Sequence, residues 1–370
     1  MELYDYLIVG SGLCGSVMAR QLTDSGKRCL VIDGRAHIGG NCYTEEREGI
    51  NVHTYGAHIF HTSSLKVWEY INKFASFNHY VNRPKVFYKN KIYSFPINLM
   101  TLYQLWGVTS PKEAIEALGK KKVSLSGQAS NLEEWVLSQV GQEIYETFIE
   151  GYTAKQWGTD PSKLPASIIK RLPIRLNFDD NYFNDCYQGI PIGGYTKIFE
   201  RLLSGIEVKL NVDYFKSKEY LDGLADRVIY TGEIDRFFDY QFGRLSYRSL
   251  RFDHELHEIK DFQGNAVINY TEKDIPYTRI IEHKHFEFGN QDVTIITKEY
   301  PDIYTGNNTP YYPVNDAVNN KKYESYAQLA RNNKDRVIFA GRLAEYKYYD
   351  MHQVIGSALV KSEDILSGKL

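Results

Sequence analysis

A glycine-rich turn near the start of the chain, GSGLCG, constrains the fold more than any other feature. It lies between a compact apolar run, residues 4–9, and a segment of helical character, residues 13–23. In a strand–turn–helix unit the first glycine (Gly10) permits the tight turn, and the second (Gly12) lets the backbone approach a pyrophosphate. The third (Gly15) lets the helix pack closely on the strand. Because free N–H groups and the helix dipole favour negative charge, the pattern predicts a phosphate site at this helix N-terminus.

The segment that follows strengthens this prediction. Residues 28–32 (RCLVI) have the composition of a second buried strand, and Asp33 closes it. An acidic residue at this point accepts hydrogen bonds from an adenosine ribose. A strand, a glycine turn, a helix, a second strand and an acid in this order predict a dinucleotide-binding unit. The alternative is a glycine turn with a purely structural role.

Two further glycine segments favour FAD over NAD as the dinucleotide. GRAHIGGN follows the acid directly and places Arg35, Gly40 and Asn41 where the backbone can continue along a longer cofactor. Near the other end of the chain a predicted buried strand ends in Gly341, and a helix is predicted to begin near Met351. The N-terminus of such a helix would stabilise negative charge on a flavin ring. Only one GxGxxG motif is present, so a separate NAD(P) domain is not predicted.

The segment TYGAHIFHT carries Gly56, His58 and His61. A glycine that lets the backbone approach a flat ring, with a histidine beside it, suits the face of a flavin. Two histidines three residues apart could also ligate a metal, but no third ligand lies nearby in sequence. The remaining alternative is a pair of hydrogen-bonded structural histidines. The four cysteines lack metal-ligand spacing, so no metal site is predicted.

Two aromatic segments carry residue types that can hold a nucleotide diphosphate. GYTAKQWGTDPSKLPASIIKRLPIRL combines Tyr152 and Trp157 with Arg171, and aromatic rings stack bases while a guanidinium binds phosphate. RLAEYKYYDM places Arg342 beside several tyrosines. Solvated arginines and ordinary aromatic packing are the plainer alternatives. Because GxSxG, P-loop and HExxH motifs are all missing from the sequence, a bound cofactor must make the bonds if the protein is an enzyme.

Composition excludes several classes of protein. The 44 Lys and Arg residues nearly balance the 46 Asp and Glu residues, so a nucleic-acid partner is not predicted. Apolar runs are too short to span a bilayer, and the start MELYDYLIVG lacks signal-peptide features, so we expect no membrane insertion. The low cysteine content fits a cytoplasmic protein. Tyrosine is abundant, with 30 residues; we expect part of it around a ligand and part, including Tyr93, on sheet surfaces.

Hydrophobic patterning predicts an α/β chain with α+β insertions. Helices are predicted at residues 65–74, 111–118, 131–140 and 351–366, a hairpin within 77–96, and alternating strands at 245–252, 265–270, 277–288 and 293–299. Because both ends of the chain share the buried-strand pattern, we expect one Rossmann-like FAD-binding domain with an inserted helical domain and an antiparallel β-sheet domain. The expected boundaries are 1–80, 190–240 and 318–370 for the FAD-binding domain, 97–172 for the helical domain, and 81–96, 173–189 and 241–317 for the sheet domain.

Taken together, the motifs resemble those of bacterial UDP-galactopyranose mutases. The similar stretches are GSGLCG with its acid, YGAHIFHT, GYTAKQWGTDP, IKRLP, PIGGYTKIFERL, NRP, YRSLRF and AGRLAEYKYYDM, in the family's order along essentially the whole chain. The resemblance implies a flavin-dependent isomerase that interconverts UDP-galactopyranose and UDP-galactofuranose without net redox, through a covalent adduct between flavin N5 and the sugar. It also implies that reduced FAD is the active form, that an external reductant such as NAD(P)H maintains it, that the protein is a homodimer, and that its product serves cell-surface polysaccharide synthesis.

The resemblance also implies roles for individual residues. The implied catalytic residues are Arg171, Arg342, His58 and His61, with the arginines on the diphosphate and the histidines beside the flavin. The implied substrate-binding residues are Asn82, Phe148, Tyr152, Trp157, Arg171, Tyr182, Phe183, Arg248, Asn269, Tyr311, Arg342, Tyr348 and Asp350. The expected cofactor-binding residues are Gly10, Gly12, Leu13, Gly15, Asp33, Gly34, Arg35, Gly40, Asn41, His58, Ile59, Gly341, Arg342, Asp350 and Met351. The proton-transfer group stays unassigned.

Two alternatives stay open at this point. A FAD-dependent amine or polyol oxidase would share the nucleotide fold, reduce its flavin with substrate and form hydrogen peroxide. A non-catalytic UDP-sugar-binding or flavin-binding protein would bind its ligand without turnover. An arginine on a loop that closes over a flavin, as expected for Arg171, favours the mutase over both.

Overall fold

The computed structural model describes residues 3–166 and 174–370, and most of its strands belong to two sheets. The strands are β1 (Tyr4–Val9), β2 (Cys29–Ile32), β3 (Thr44–Arg47), β4 (Ile50–His53), β5 (Phe60–Thr62), β6 (Lys85–Tyr88), β7 (Lys91–Ser94), β8 (Tyr187–Gly189), β9 (Glu207–Lys209), β10 (Ala225–Tyr230), β11 (Tyr247–His257), β12 (Val267–Tyr270), β13 (Arg279–Glu282), β14 (Thr294–Ile303), β15 (Tyr312–Pro313) and β16 (Val337–Phe339). The pairs β3–β4 and β5–β8 form two small additional sheets.

Helices cover the larger sheets and form one separate layer. They are α1 (Leu13–Asp24), α2 (Leu65–Ile71), α3 (Leu99–Trp106), α4 (Pro111–Lys121), α5 (Leu132–Val140), α6 (Gln142–Ile144), α7 (Gly151–Trp157), α8 (Thr196–Leu202), α9 (Lys218–Asp222), α10 (Ile234–Phe237), α11 (Ala317–Asn332), α12 (Gly341–Ala344) and α13 (Met351–Leu366). A π-helical turn, Tyr145–Glu150, joins α6 to α7, and short 3₁₀ turns occur at Gly40–Cys42, Pro161–Lys163, Tyr214–Ser217 and His283–Glu287.

The parallel sheet has the strand order β16-β10-β1-β2-β9. Neighbouring residues of β1 point to opposite faces: Ile8 joins a core with α1, α8 and α13, while Leu7 joins a second core with α9, α10 and α11. Apolar cover on both faces is the reason that its strands are continuous hydrophobic runs. The expected α/β fold with a Rossmann-like unit is confirmed.

The second sheet is mixed and has the order β15-β11-β14-β13-β12-β6-β7. Its β6–β7 hairpin turns at Lys89 and Asn90, both with φ near +50 to +60° (48° and 59°), as a two-residue hairpin loop requires. Helices α3, α4 and α5 pack over this hairpin around Val86 and Tyr93. Tyr93 is therefore a buried core residue, and its expected place on a sheet surface was wrong.

The strands of the parallel sheet come from both ends of the chain and from residues 207–230, while those of the mixed sheet come from residues 85–94 and 247–313. On this basis we propose the three-domain division given above. Among the described residues, no helix is long and apolar enough to cross a membrane.

Two predicted elements end earlier than the pattern suggests. The helix that begins at Leu65 ends at Ile71 instead of residue 74. The strand expected over 277–288 stops at Glu282, and a 3₁₀ turn follows. The buried Lys284 ammonium explains that turn, because it donates to the carbonyls of Lys260, Gln291 and Val293 and so draws the chain around itself. The helix predicted at 351–366 is confirmed with the same bounds.

The tight contact at the glycine turn gives a first prediction. A Cβ atom at Gly15 would lie 1.9 Å from the Gly10 carbonyl oxygen, so Gly15→Ala must push α1 away from β1 and should lower the free energy of unfolding by about 1–3 kcal/mol. Gly119→Ala is the matched control, because Gly119 lies in α4 with open space around its Cβ position and should gain about 1 kcal/mol. Urea unfolding curves of both variants test this, and equal stability of the Gly15 variant and wild type would contradict the contact.

Candidate active site

A cleft of about 490 Å³ lies along the carboxyl edge of the parallel sheet. Its floor comprises the turns after β1, β2, β10 and β16, which bring Gly10, Asp33, Thr231 and Gly341 to one edge. In open α/β sheets, ligands bind in the crevice at this edge. The walls come from residues 212–215, 309–310 and the first turn of α13.

Glycines bring two backbone segments close together in the middle of the cleft. A Cβ atom at Gly40 would lie 3.0 Å from the Cα atom of Gly12, and Gly40 has a φ of +55°. Helix α1 begins at Leu13, so its free N–H groups lie at the same point. Two glycines, which have no side chains, leave room for a pyrophosphate beside a helix N-terminus. Nothing larger than glycine fits at Gly40 without moving the opposite segment.

Asp33 and Arg35 form a polar group at one end of this gap. One Asp33 carboxylate oxygen accepts from the Ser11 amide at 2.8 Å and the Ser11 hydroxyl at 2.7 Å. The Arg35 guanidinium donates to the Asn41 Oδ1 atom at 2.8 Å and lies 4.5 Å from the centre of the Tyr55 ring. Its other terminal nitrogen, Nη1, is buried and finds no partner within residues 3–166 and 174–370. A buried guanidinium N–H without an acceptor fits a cofactor phosphate oxygen.

Arg342 also lines the cleft. Its guanidinium donates to the main-chain carbonyls of Tyr311 at 3.1 Å and Tyr349 at 2.6 Å. It also lies 5.8 Å from the centre of the Tyr348 ring. The backbone therefore holds the Arg342 side chain in place, and its positive charge is not neutralised by a carboxylate in these contacts.

His58 lines the cleft within electrostatic range of Arg342 and belongs to a buried series of histidines. Its Nδ1 atom donates to the Gly56 carbonyl at 2.8 Å, and its amide donates to Nδ1 of His53 at 3.1 Å. The His53 amide in turn donates to Nδ1 of His283 at 3.1 Å. Burial lowers the pKa of His58 to about 4 and of His283 to about 3. These histidines are neutral at physiological pH and hold the loop that faces the cleft.

A cluster of polar and aromatic side chains on and beside the mixed sheet, which we call the chamber, reaches Arg342 through the Tyr348 ring. Its centre is Arg279, whose guanidinium pairs with the Glu299 carboxylate at 2.9 Å and donates to the Tyr152 hydroxyl at 2.9 Å. Burial, opposed by the charge of Arg279, raises the pKa of Tyr152 to about 12, so its hydroxyl stays protonated. Tyr312 and Tyr348 stack with ring centres 5.2 Å apart. The chamber thus combines a cation with protonated phenol groups.

The register of the mixed sheet builds this chamber. Asn269, Arg279 and Glu299 are direct partners across β12, β13 and β14. Side chains in one such row project from the same face of a sheet. A slip of one residue would turn Arg279 to the opposite face.

His61 connects the cleft to this chamber. Its Nδ1 atom lies 2.5 Å from an Asp185 carboxylate oxygen, and its ring stacks on Phe183 with centres 3.7 Å apart. Polar atoms of His61, Asp350 and His352 lie within 4.8 Å of one another. Asp350 caps helix α13, at the edge of the cleft.

Comparison with known proteins agrees with this geometry. A family model described as UDP-galactopyranose mutase matches residues 147–348, and one described as an NAD(P)-binding Rossmann-like domain matches residues 8–74. A probable UDP-galactopyranose mutase from Klebsiella pneumoniae is 42% identical over 99% of this chain and 96% of the relative. The chain belongs to the UDP-galactopyranose mutase family. A dTDP-fucopyranose mutase from Escherichia coli is 40% identical over 95% of this chain and 96% of the relative.

A UDP-galactopyranose mutase from Mycoplasma genitalium is 33% identical over 98% of this chain and 95% of the relative. The crystal structure of a reduced UDP-galactopyranose mutase superposes with a TM-score of 0.75 over 98% of this chain and 96% of that one, at 13% identity, and so shows the same fold. Membership of the mutase family confirms the expected isomerase class and the expected cofactor, FAD.

The structure brings many of the predicted mutase residues to the two chambers. The cleft is lined by Gly10, Gly12, Leu13, Gly15, Asp33, Gly34, Arg35, Gly40, Asn41, His58, Gly341, Arg342 and Met351. Ile59 is buried beside the cleft loop, packed in a cluster with Tyr80. Trp157 ends α7, and the Arg248 guanidinium reaches that end by donating to the Gln156 carbonyl at 3.0 Å. Arg171 lies outside the described residues.

Other predicted substrate residues lie at the edge of the tyrosine chamber. Phe148 is 3% exposed and stacks on Phe95, which itself contacts Tyr182. The Asn82 carbonyl accepts from the Tyr182 amide at 2.8 Å. The rings of Tyr182 and Tyr348 are 44% and 52% exposed, so both are accessible to a ligand.

Tyr311, Tyr312 and Tyr346 have different surroundings in the structure. Tyr312 stacks on Tyr348, whereas Tyr311 is buried and packs on Phe252. Tyr346 is 2% exposed, and its hydroxyl donates to main-chain carbonyls at 2.6 and 3.0 Å, so it belongs to the core. Alternation along the strand before the proline could have placed Tyr311 and Tyr312 on opposite faces.

Sequence reasoning also missed Arg279 and Glu299. Each stands in a predicted strand among apolar residues, where a charged side chain suggests a solvent-facing position. The informative pattern is the pair: opposite charges at directly opposed positions of two neighbouring antiparallel strands stabilise each other. Finding it requires the strand register, which single-strand patterns do not provide.

The buried neutral histidines predict acid sensitivity of the mutase fold. The unfolded chain binds protons with a histidine pKa near about 6.5, whereas His58 and His283 resist protonation when folded, so the free energy of unfolding falls as the pH falls below about 6.5. Each contributes a slope of up to about 1.4 kcal/mol per pH unit. Urea unfolding across this range should show a shallower pH slope for His283→Gln than for wild type. The exposed His79→Gln is the control, and a His283→Gln slope equal to that of wild type would refute this assignment.

Proposed function

We propose that this protein interconverts the pyranose and furanose forms of a nucleotide-linked hexose, with UDP-galactopyranose and UDP-galactofuranose as the substrate pair. The observation that carries the proposal is the Arg279 chamber, a buried cation among tyrosine hydroxyls, next to the dinucleotide cleft at Arg342. Reduced FAD in the cleft would supply the nucleophile, N5, that holds the sugar covalently while its ring opens. An external reductant such as NAD(P)H would keep the flavin reduced without net redox in the reaction.

The chain's own residues would bind the diphosphate and stabilise the charge that develops as it departs. Arg342 is preorganised by two main-chain carbonyls, and Arg279 by Glu299 and Tyr152. Fixed donors aimed at developing negative charge need no reorganisation during the reaction. We propose that Arg171 joins them from the segment between α7 and β8.

The nucleoside would lie toward the helical layer. We propose that Trp157 and Tyr152 line the base-binding end, with Phe148 supporting them from the core. Arg248, which contacts the end of α7, and Asn269, beside Arg279 in the sheet, would complete the shell. Tyr182 and Tyr348 offer exposed rings for the sugar side, with Phe183 beside them and Asp350 between sugar and flavin.

A dTDP-linked fucose is the second candidate substrate, since the Escherichia coli relative named for it is nearly as similar as the Klebsiella pneumoniae relative. The ring contraction is chemically the same, and the substrates differ in the base, the ribose and the sugar C6. A FAD-dependent oxidase is a weaker candidate: a putrescine oxidase superposes with a TM-score of 0.57 at 12% identity, which shows a shared fold alone. We further propose a homodimer that serves cell-surface polysaccharide synthesis.

A turnover assay tests the proposed reaction. Purified FAD-loaded protein is incubated with UDP-galactofuranose or dTDP-fucofuranose, with and without dithionite, and the nucleotide sugars are separated by chromatography. We expect conversion of UDP-galactofuranose to the pyranose only after reduction. Faster conversion of the dTDP sugar would assign dTDP-linked fucose as the substrate in place of UDP-galactose. Formation of hydrogen peroxide without isomerisation would favour the oxidase.

Substitution of the arginines tests the diphosphate role. Arg279→Lys keeps a charge beside Glu299 but loses the planar fork of donors, and it should lower kcat/KM by about 10²-fold with FAD retained. Arg342→Ala and Arg171→Ala should abolish turnover, again with FAD retained. Arg251→Lys is the matched control, because Arg251 lies on β11 with an exposed side chain that stacks on Tyr300. Near-normal activity in the Arg279, Arg342 or Arg171 variant would rule out that residue as a diphosphate ligand.

A further inference from the structure

His61 is held in one orientation by contacts on its face and on one ring nitrogen. Phe183 stacks on the ring with an interplanar angle of 11°, and the Asp185 carboxylate lies 2.5 Å from Nδ1. The second Asp185 oxygen accepts from the Ser63 hydroxyl at 2.6 Å, so the carboxylate is itself fixed. Asp185 therefore sets the tautomer, and no hydrogen bond of the His61 Nε2 atom is found among the described residues.

The free side of His61 meets the first residues of helix α13. Asp350 and His352 bring a carboxylate oxygen and a ring nitrogen within 4.8 Å of a ring nitrogen of His61, and the two imidazoles lie edge to face with centres 4.9 Å apart. Asp350 also interacts electrostatically with Tyr182 and Tyr348 of the second chamber. Met351, between Asp350 and His352, lines the cofactor cleft. His61 thus lies where the cleft and the tyrosine chamber meet.

We propose that His61 is the proton-transfer residue of the ring contraction, with Asp185 as its positioning residue. This inference rests on the proposed function. Ring opening requires a proton on the ring oxygen, and reclosure requires removal of a proton from another sugar hydroxyl. A fixed imidazole at the sugar end of the cleft can do both without help from solvent.

The two proton transfers that we assign to His61 balance each other. As the bond between the anomeric carbon and the ring oxygen breaks, its electron pair goes to that oxygen, and the His61 imidazolium transfers its Nε2 proton there. The neutral imidazole then takes the proton from the hydroxyl whose oxygen forms the new bond to the anomeric carbon. His61 ends as it began, and no oxidant or reductant is consumed in these two steps.

Three titratable groups face the His61 ring. They are Asp185, from the segment before β8, and Asp350 and His352, from the start of α13. Burial and then the nearby His61 lower the pKa of His352. Burial raises the pKa of Asp185, but bonds from Ser63 and His61 outweigh it and hold that pKa below its usual value. Two carboxylates therefore flank the ring that we propose as the proton-transfer group.

The alternative is an ion pair that only supports the fold. The chain offers a matched pair for comparison: His257 and Glu255 on β11, whose atoms lie 3.2 Å apart. His257 lines neither the cleft nor the chamber. The pair therefore has the same chemistry as His61 and Asp185 but lies away from the proposed active site.

The test uses the reduced, FAD-loaded protein and first requires isomerisation by wild type, since its absence would reject the proposed function and not this inference. His61→Gln should lower kcat by about 10²-fold or more with FAD retained, while His257→Gln should match wild type. Asp185→Asn keeps the size of the side chain but removes its charge. The limb of the pH profile of kcat/KM that reports His61 should therefore move to lower pH by about one unit. Chelator treatment should change nothing. Activity of His61→Gln within threefold of wild type, an unmoved profile in Asp185→Asn, or loss of activity with the chelator would each overturn the proposal.

A spectroscopic measurement separates this role from a structural one. Nitrogen-15 spectra of the histidines should show His61 protonated at Nδ1 and titrating at lower pH in Asp185→Asn than in wild type. This readout does not depend on turnover, so it also applies if a variant is inactive. A His61 titration unchanged by Asp185→Asn would show that the carboxylate does not control the proton, and would overturn the assignment.

Discussion

The close approach of helix α1 to the turn after β1 is the contact on which the rest of the structure depends. Gly15 sits where any Cβ would meet the Gly10 carbonyl oxygen, and Gly40 sits where any Cβ would press on Gly12. From the far end of the chain, Gly341 reaches the same helix, with its Cβ position 3.1 Å from the Cys14 side chain. Both ends of the chain must therefore meet at the first turn of α1, and the helical layer and the mixed sheet are inserted between the segments that form the parallel sheet.

The insertions position the proposed substrate residues through sheet register and not through local motifs. The row Asn269–Arg279–Glu299 exists because β12, β13 and β14 pair in one register, and the hairpin β6–β7 extends the same sheet under the helical layer. Helix α7 then delivers Tyr152 to Arg279. The cofactor cleft thus depends on a local turn, whereas the proposed substrate chamber depends on the pairing of strands that are distant in sequence.

This difference decides what the sequence could predict. The cleft follows from short motifs, so its glycines, Asp33 and the start of α13 could be identified from neighbouring residues alone. The chamber could not be identified in this way, because Arg279 and Glu299 are 20 positions apart in sequence. Their interaction becomes evident only when β13 and β14 are paired in register. The buried histidines are an intermediate case. The segment TYGAHIFHT identified His58 as a candidate residue. Its contact with His53 and the link to His283 could not be predicted, because they depend on β4 lying beside the turn after β13. Motif resemblance supplied Tyr152, Asn269 and Tyr348 but not Arg279 or Glu299.

Charge balance in the chamber constrains how a dianionic diphosphate can be held. Arg279 is already paired with Glu299 at 2.9 Å, so the two together contribute little net positive charge. Arg279 can still orient a ligand, because the remaining N–H donors of a fixed guanidinium point in fixed directions. The net charge must come from a cation without a carboxylate partner, and within residues 3–166 and 174–370 Arg342 meets that condition, because its guanidinium donates to the carbonyls of Tyr311 and Tyr349. One uncompensated arginine offsets half of a diphosphate dianion, so a second cation is needed to balance it. We propose Arg171 for this role, and a local group of arginines can then bind an anionic ligand in a chain of nearly zero net charge.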